Sequence, residues 1–410
     1  MRIFISAGEP SGDLHAANLI RSIRKRLPET DLHFVGYGGP KMAAAGGELL
    51  YPLVDLAVMW FLNVILNLFT FIRLVFRADR YFRDHRPDAV VLIDYPGLHW
   101  WIAKRARARG IPVFYFVPPQ LWAWAGWRVK KVQKYVDQVL CSLPFEPEWY
   151  QKRGVADAVY VGHPYFDELA DRPLDDGFLA DQGVRPGPMV AILPGSRTQE
   201  LRRNLPDMIR ATRELSKTRP EVRFAVACLH ERHKAMAEAI INEVLGTGPR
   251  PPIEVFAGRT PEIIRLARLA WAVSGSVGLE LMADGLPSVV LYKVKQIDLW
   301  IARPFIKAKY ISLVNLLADG EVFPEYLTCR DASPDLVRWA LAWLDETEER
   351  ARTLESLEAL RRRVAHRGAT DRAAERIVAR LSRRSNPPTA YRGPHEIPAR
   401  QPRADETPGR

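Results

Sequence analysis

The sequence predicts an α/β protein made of two doubly wound halves that face each other across a cleft. Three observations carry that expectation. Glycine-bearing segments follow strand-like apolar runs in both halves: Ala7-Gly8-Glu9-Pro10-Ser11-Gly12-Asp13 and Ile93-Asp94-Tyr95-Pro96-Gly97 in the first, Leu193-Pro194-Gly195-Ser196-Arg197 and Ser274-Gly275-Ser276-Val277-Gly278-Leu279-Glu280 in the second. The order strand, glycine loop, helix start exposes backbone N–H groups and a positive helix end, which suits phosphate or another anion. The length, 410 residues, also exceeds the roughly 250–300 at which a single core stops growing.

The elements follow in order. Arg2–Ala7 reads as a buried parallel strand and Leu14–Arg26 as a helix behind its glycine turn. Leu32–Tyr37 is a second strand, closed by Gly38-Gly39-Pro40. Ala89–Ile93 and Val113–Val117 are further strands, with the helical stretch Trp100–Arg109 between them, and Tyr160–Gly162 ends the set at His163-Pro164. Strands alternating with helices imply a parallel sheet covered on both faces. The polar stretch from Glu168 to Pro188 is the expected linker, giving domains over 1–167 and 188–384. The pattern restarts with strands at Val190–Leu193, Arg223–Ala227, Glu254–Phe256, Trp271–Val273 and Ser288–Leu291. Ser333 to Arg384 is helical and charged, and the proline-rich 385–410 reads as a disordered tail.

Composition narrows the function. Hydrophobic residues make up 47 %, which excludes disorder over most of the length, and the formal charge of +11 suits an anionic partner. Nucleic acid is disfavoured, because the charge is scattered along helices and no nucleic-acid-binding module is recognisable. Cys141, Cys228 and Cys329 stand apart without metal spacing, and the chain opens directly on a strand, so a cytoplasmic, reducing setting is expected.

Ala57 to Ile72 runs sixteen residues without a charge and is followed by Arg73, Arg77, Arg80, Arg83 and Arg86. It is shorter than the roughly 20 residues a spanning helix needs and carries Asn63 and Asn67. Two readings stay open: a helix buried under the first sheet, or a helix lying in a membrane interface with its arginines near anionic head groups. Trp60, Phe61, Phe69 and Phe71 are bulky for one soluble-core helix and favour the second, with the segment 57–76 associating with a membrane.

The chemistry-bearing residues cluster at the glycine loops. Gly195 permits close backbone approach, Ser196 offers a hydroxyl and Arg197 can grip phosphate in bidentate fashion. Ser274 or Ser276 can cap a helix that receives a diphosphate, beside Gly275, with Glu280 one turn further in to accept from ribose hydroxyls. The first loop is not the G-x-G-x-x-G dinucleotide fingerprint, which argues against a nicotinamide dehydrogenase. Asp94 closes an apolar strand, where doubly wound sheets place their ligands, and suits a general base on an acceptor hydroxyl. Capping of the next turn is its bland alternative. Asp13 reads equally as a helix-start acid and His15 as a helix-surface residue. No metal-binding spacing, paired Asp-X-Asp or nucleophile elbow occurs, so metal-free, cofactor-free chemistry is expected.

Taken in order, AGEPSGDLHAANLI, GYGGPKM, LAVM, IDYPG, PPQLWAW, LPFEPEWY, VGHP, LPGSR with Glu200, SGSVGLE and YISLVNLLADGEVFPEYL resemble the lipid-A-disaccharide synthase family from about Ile3 to Leu327. The resemblance implies the GT-B architecture, two Rossmann-like domains around an interdomain cleft, and inverting transfer of 2,3-diacylglucosamine from its UDP derivative to 2,3-diacylglucosamine 1-phosphate. It implies Asp94 as base or acceptor-orienting carboxylate, with Glu9 and Ser11 shaping the acceptor side. Gly195, Ser196 and Arg197 would hold the diphosphate, with Ser274, Gly275, Ser276, Glu280 and Asn315 completing the UDP cradle. Peripheral association with the inner face of the cytoplasmic membrane follows from the acylated substrates, and a homodimer is compatible with the resemblance. The sequence departs from the family pattern at Trp60, Asn63, the region of His99 and Trp100, and Val314. Two other readings remain: another UDP-sugar enzyme on the same scaffold, such as a 2-epimerase, and a non-catalytic membrane-surface relative. An epimerase would not need the aromatic, arginine-flanked apolar helix.

Overall fold

The computed structural model describes residues 1–58, 64–294, 296 and 309–385. Trp60, Phe61 and Asn63, and the tail beyond 385, lie outside the described residues.

Two all-parallel sheets form the two halves. The first contains β1 (Arg2–Ala7), β2 (His33–Tyr37), β3 (Gly47–Tyr51), β4 (Ala89–Ile93), β5 (Val113–Phe116), β6 (Gln138–Cys141) and β7 (Ala158–Tyr160). Its order is β3-β2-β1-β4-β5-β6-β7. The second contains β8 (Met189–Leu193), β9 (Arg223–Cys228), β10 (Ile253–Ala257), β11 (Leu269–Ala272), β12 (Ser288–Lys293) and β13 (Glu325–Thr328), ordered β10-β9-β8-β11-β12-β13. Helices pack on both faces of each sheet, so central strands such as Ala89–Ile93 and Met189–Leu193 are buried along their whole length. That double covering explains why they read as continuous apolar runs rather than alternating ones.

In each sheet, strand order reverses at the first strand. β1 pairs with β2 on one side and β4 on the other, and β8 pairs with β9 and β11. A crevice opens where successive crossovers leave in opposite directions, beyond the carboxyl ends of these strands. The Gly8 and Asp94 loops follow β1 and β4, and the Gly195 and Ser274 loops follow β8 and β11. All four loops therefore sit at the two switch points.

Several expectations need correction. β3, β6 and β13 were not foreseen. β3 and β13 are edge strands with no residue run buried on both faces, and β6 has only four residues. The first helix starts at Pro10, not Leu14, because a proline at its first position tolerates the missing N–H there. The expected linker is largely helical: Tyr165–Asp171 and Asp176–Gly183 occupy it, the latter capped by the Asp175 carboxylate accepting from the Phe178 N–H at 2.9 Å. The helix Ala369–Ser385 also leaves the half in which the sequence reading placed it. Its Ala373, Ala374, Ile377 and Leu381 pack with Ile3, Ile5, Leu19 and Ile20 of the first half. Asp167 accepts from the Gly368 and Thr370 N–H groups at its start. An amphipathic helix follows the apolar face that completes its own, whatever its place in the chain.

Candidate active site in the cleft

The first-half wall is built on Gly8. A Cβ there would come within 2.3 Å of the Tyr95 ring, so only glycine lets that ring lie over the β1 loop. Glu9 takes the position before the first helix in extended conformation, but its side chain makes no capping bond. Its carboxyl is held above the ordinary range by burial and by the neighbouring Asp94, and Arg197 opposes the shift. Glu9 and Asp94 of the first half and Arg197 of the second thus share one field. Ser11 is exposed at the second position of the helix.

Asp94 and Tyr95 both occupy the left-handed region, at φ 51° and 49°. The Asp94 carbonyl accepts from the Tyr115 hydroxyl and from His99 Nδ1, each at 2.7 Å. The Asp94 carboxyl is pushed up by burial, against the Tyr95 backbone N–H and His15. A carboxylate with raised affinity for a proton is a better base than an ordinary surface aspartate.

Three residues near this wall carry more than the sequence reading gave them. His15 is buried rather than on the helix surface, and its Nδ1 lies 3.0 Å from Glu168 Oε1. Asp13 stands in the first turn of its helix, as expected, and also binds a neighbouring loop. It accepts from the N–H groups of Gly39, Lys41 and Met42 at 2.8–3.0 Å, tying the GYGGPKM loop to the first helix. Glu146, inside LPFEPEWY, is fully enclosed and accepts from the Ser142 and Leu143 N–H groups at 3.0 Å and from Trp122 Nε1 at 3.2 Å. The glutamate was legible only as part of a motif, since nothing in sequence marks which carboxylate a fold will enclose.

Burial drives Glu146 up to about 7, against those donors. The folded state therefore keeps a proton that the unfolded chain gives up from 4.5 upward. Its stabilising contribution is complete below that value and is lost as pH rises through about 7. Glu146→Gln should remove this loss. Melting temperatures between about pH 5 and pH 8 should fall less in the variant than in the parent; parallel curves would refute the enclosed, titrating carboxyl.

On the other wall, Gly195 sits at φ 114°, and a Cβ there would meet Glu200 at 2.5 Å. Glu200 accepts from the Arg197 backbone N–H and from Arg197 Nη1, both at 3.2 Å, which fixes the arginine at the start of the helix Thr198–Thr218. Ser196 and Arg197 remain exposed toward solvent. This helix has 21 residues, while the one after Ser276, Val277–Ala283, has seven. Both helix starts expose free backbone N–H groups, and the one at Thr198 has the Arg197 guanidinium beside it. Gly275 and Ser276 are exposed, and the Ser274 hydroxyl donates to the Ile311 carbonyl at 2.6 Å.

Two of the expected donor-side residues already have protein partners. Glu280 is buried and already engaged: it accepts from the Tyr165 hydroxyl at 2.9 Å and Arg172 Nη1 at 2.7 Å. Ribose hydroxyls would have to displace those partners. Asn315 is wholly buried, its amide donating to the Phe323 carbonyl while its oxygen accepts from the Val322 and Phe323 N–H groups. Its side chain folds the loop that leads to Phe323. A side chain that satisfies three backbone groups is indistinguishable in sequence from one that reaches a ligand.

The helix Val64–His85 is apolar on two adjoining arcs. Leu74, Val75, Ala78 and Phe82 enter the core. Leu68, Phe69, Ile72 and Phe76 stay in solvent, Phe69 at 79 % exposure and Phe76 at 60 %. Trp101 on the neighbouring helix Pro96–Ala108 is also exposed, and Arg105 lies over the Phe76 ring. Among the described residues no helix is long and apolar enough to cross a membrane.

Solved structures with the same architecture include a UDP-N-acetylglucosamine 2-epimerase, so described as putative, from Listeria monocytogenes (TM-score 0.64, 14 % identity, covering 94 % of this chain and 96 % of that one). Another is MurG from Acinetobacter baumannii (TM-score 0.56, 14 % identity, 92 % and 99 %). They establish the GT-B fold. Sequence relatives are more specific: the lipid-A-disaccharide synthase of Myxococcus xanthus is 35 % identical over 380 residues, 92 % of this chain and 97 % of the relative. That of Alkalilimnicola ehrlichii is 35 % identical over 386 residues, 92 % and 98 %. The lipid-A-disaccharide synthetase family matches residues 3–380. With its paired switch-point loops, its carboxylate wall facing Arg197 and this match along nearly its whole length, the chain belongs to the lipid-A-disaccharide synthetase family.

Proposed function

We propose that the cleft transfers 2,3-diacylglucosamine from UDP-2,3-diacylglucosamine to the 6-hydroxyl of 2,3-diacylglucosamine 1-phosphate, with inversion. The acceptor hydroxyl gives its proton to the Asp94 carboxylate as its oxygen attacks the anomeric carbon. The bond from that carbon to the diphosphate oxygen breaks, and UDP leaves with the electron pair. Gly195, Ser196 and Arg197 take the growing charge on the diphosphate at the start of the helix Thr198–Thr218. Glu9 and Ser11 contact the acceptor. Ser276 and Gly275 border the donor, and Glu280 reaches the ribose once released by Tyr165 and Arg172.

What supports this reading best is the placement of the Gly8 and Asp94 loops at one switch point and the Gly195 and Ser274 loops at the other, with Glu9 near enough to feel the charges of both Asp94 and Arg197. In this reading the first loops activate the acceptor and the second hold the diphosphate. UDP release measured with and without 2,3-diacylglucosamine 1-phosphate tests it. Release that depends on the acceptor is expected, whereas acceptor-independent change of the UDP-sugar would favour an epimerase.

The second apolar arc of Val64–His85 supports docking on the inner leaflet. Contiguous exposed rings beside Arg73, Arg77 and Arg105 suit an anionic lipid surface. The domains, in this reading, are 1–167 and 188–368, with the helix Ala369–Ser385 returned to the first. Phe69→Ser with Phe76→Ser should weaken binding to anionic vesicles at least ~100-fold, at about 1.5–3 kcal/mol per ring withdrawn from lipid. Because both rings are exposed, the fold should be unchanged. Undiminished vesicle binding, measured by sedimentation, would remove this face from the account.

A further inference from the structure

Within the turn that carries Asp94, one buried side chain does work that neither the motif nor the reaction assigns. Two consecutive L-residues in the left-handed region are costly, and such a conformation persists only where its surroundings over-determine it. Here the surroundings can be named. The Asp94 carbonyl accepts from His99 Nδ1 and from the Tyr115 hydroxyl on β5, while His99 Nε2 lies 2.9 Å from Ser6 Oγ on β1. A carbonyl only accepts, so Nδ1 carries the hydrogen and Nε2, bare in the neutral ring, accepts from the serine hydroxyl. The Tyr95 and Tyr115 rings stand edge-on to the imidazole, with centroids 5.9 and 6.1 Å away. His99 has no exposed surface.

We propose that His99 is a positioning residue for the transfer, its Nδ1–H bond to the Asp94 carbonyl holding the Asp94–Tyr95 turn in the form that presents the Asp94 carboxylate to the cleft. This rests on Asp94 acting as the base. Burial keeps the imidazole neutral, its affinity for a proton driven down to about 3, so the bond persists across the working range. The groups acting on Asp94 and its neighbours are Glu9 before the first helix, His15 on it, Tyr95 and Tyr115 beside it, and Arg197 through Glu9. His15 in turn faces His163 and Glu168. Of these groups Tyr115 also donates to the Asp94 carbonyl, as the second bond beside that of Nδ1–H.

Asparagine and glutamine separate the two nitrogens, since an asparagine amide superposes on Nδ1 and a glutamine amide on Nε2. His99→Leu and His99→Gln should lower kcat about 100-fold, the scale of an ångström of misplacement, with KM for the UDP-sugar unchanged. His99→Asn should restore most of the rate. A relaxed turn lets water reach Asp94 and lowers its raised proton affinity, so the acid limb of the kcat profile should move to lower pH in the Leu and Gln variants and stay in place in Asn. Should the Leu variant fail to fold, Tyr115→Phe removes the other donor to the same carbonyl and should move the limb in the same direction. Equal rates in Asn and Gln, or an unmoved acid limb, overturns the proposal. Asp94→Asn is run alongside: if it keeps its activity, the reading of Asp94 fails; if it is inactive while the His99 series is flat, only the positioning role fails.

Discussion

Asp94→Asn should lower kcat roughly a thousand-fold, within the range that a positioned general base contributes, and leave affinity for UDP unchanged. The isosteric amide keeps the turn, because His99 and Tyr115 hold the main-chain carbonyl and not the side chain. What disappears is the acceptor for the proton. Burial raises the Asp94 proton affinity, so in the parent the rate should rise with pH as the carboxyl ionises, above the ordinary aspartate range, and this limb should be missing from the residual activity of the variant. Calorimetric titration with UDP and a pH series of initial rates read both effects. Loss of UDP binding would move Asp94 to the donor side; an unchanged kcat would end its role as base.

Arg197→Ala is the second large effect. The guanidinium stands at the start of a 21-residue helix, steadied by Glu200 and open toward the cleft. It should contribute at least ~2 kcal/mol to holding the diphosphate, as charge-assisted hydrogen bonds do. That corresponds to about 30-fold weaker UDP binding, with a larger fall in kcat because the negative charge peaks as UDP departs. Lysine should recover only part of either, having the charge but not the planar fork. Glu200→Gln should give a smaller loss of the same kind by loosening the arginine. An unchanged UDP affinity in Arg197→Ala would refute the assigned contact.

The sequence was most readable where one physical requirement dominates a short stretch. Doubly covered strands such as Ala89–Ile93 have to be apolar throughout, and the turns at Gly8 and Gly195 have no room for a Cβ; both requirements are local. Partnerships formed across the fold were not readable. Glu280 reads like a ribose ligand but is held by Tyr165 and Arg172, more than a hundred residues earlier in the chain. Asn315 reads like a ligand and folds a loop. His15 reads like a surface residue and is buried against Glu168. The helix Ala369–Ser385 shows the same limit at larger scale, since an apolar stripe states that it needs a partner without naming which half supplies it.

The central question is whether one cleft joins two acylated sugars. Purified protein supplied with UDP-2,3-diacylglucosamine and 2,3-diacylglucosamine 1-phosphate, with the product read by mass and by the anomeric coupling in its proton spectrum, tests this directly. The prediction is a β-1,6-linked disaccharide phosphate formed in step with one UDP per linkage. A recovered UDP-sugar altered at its own ring, or an α-linked product, would contradict it.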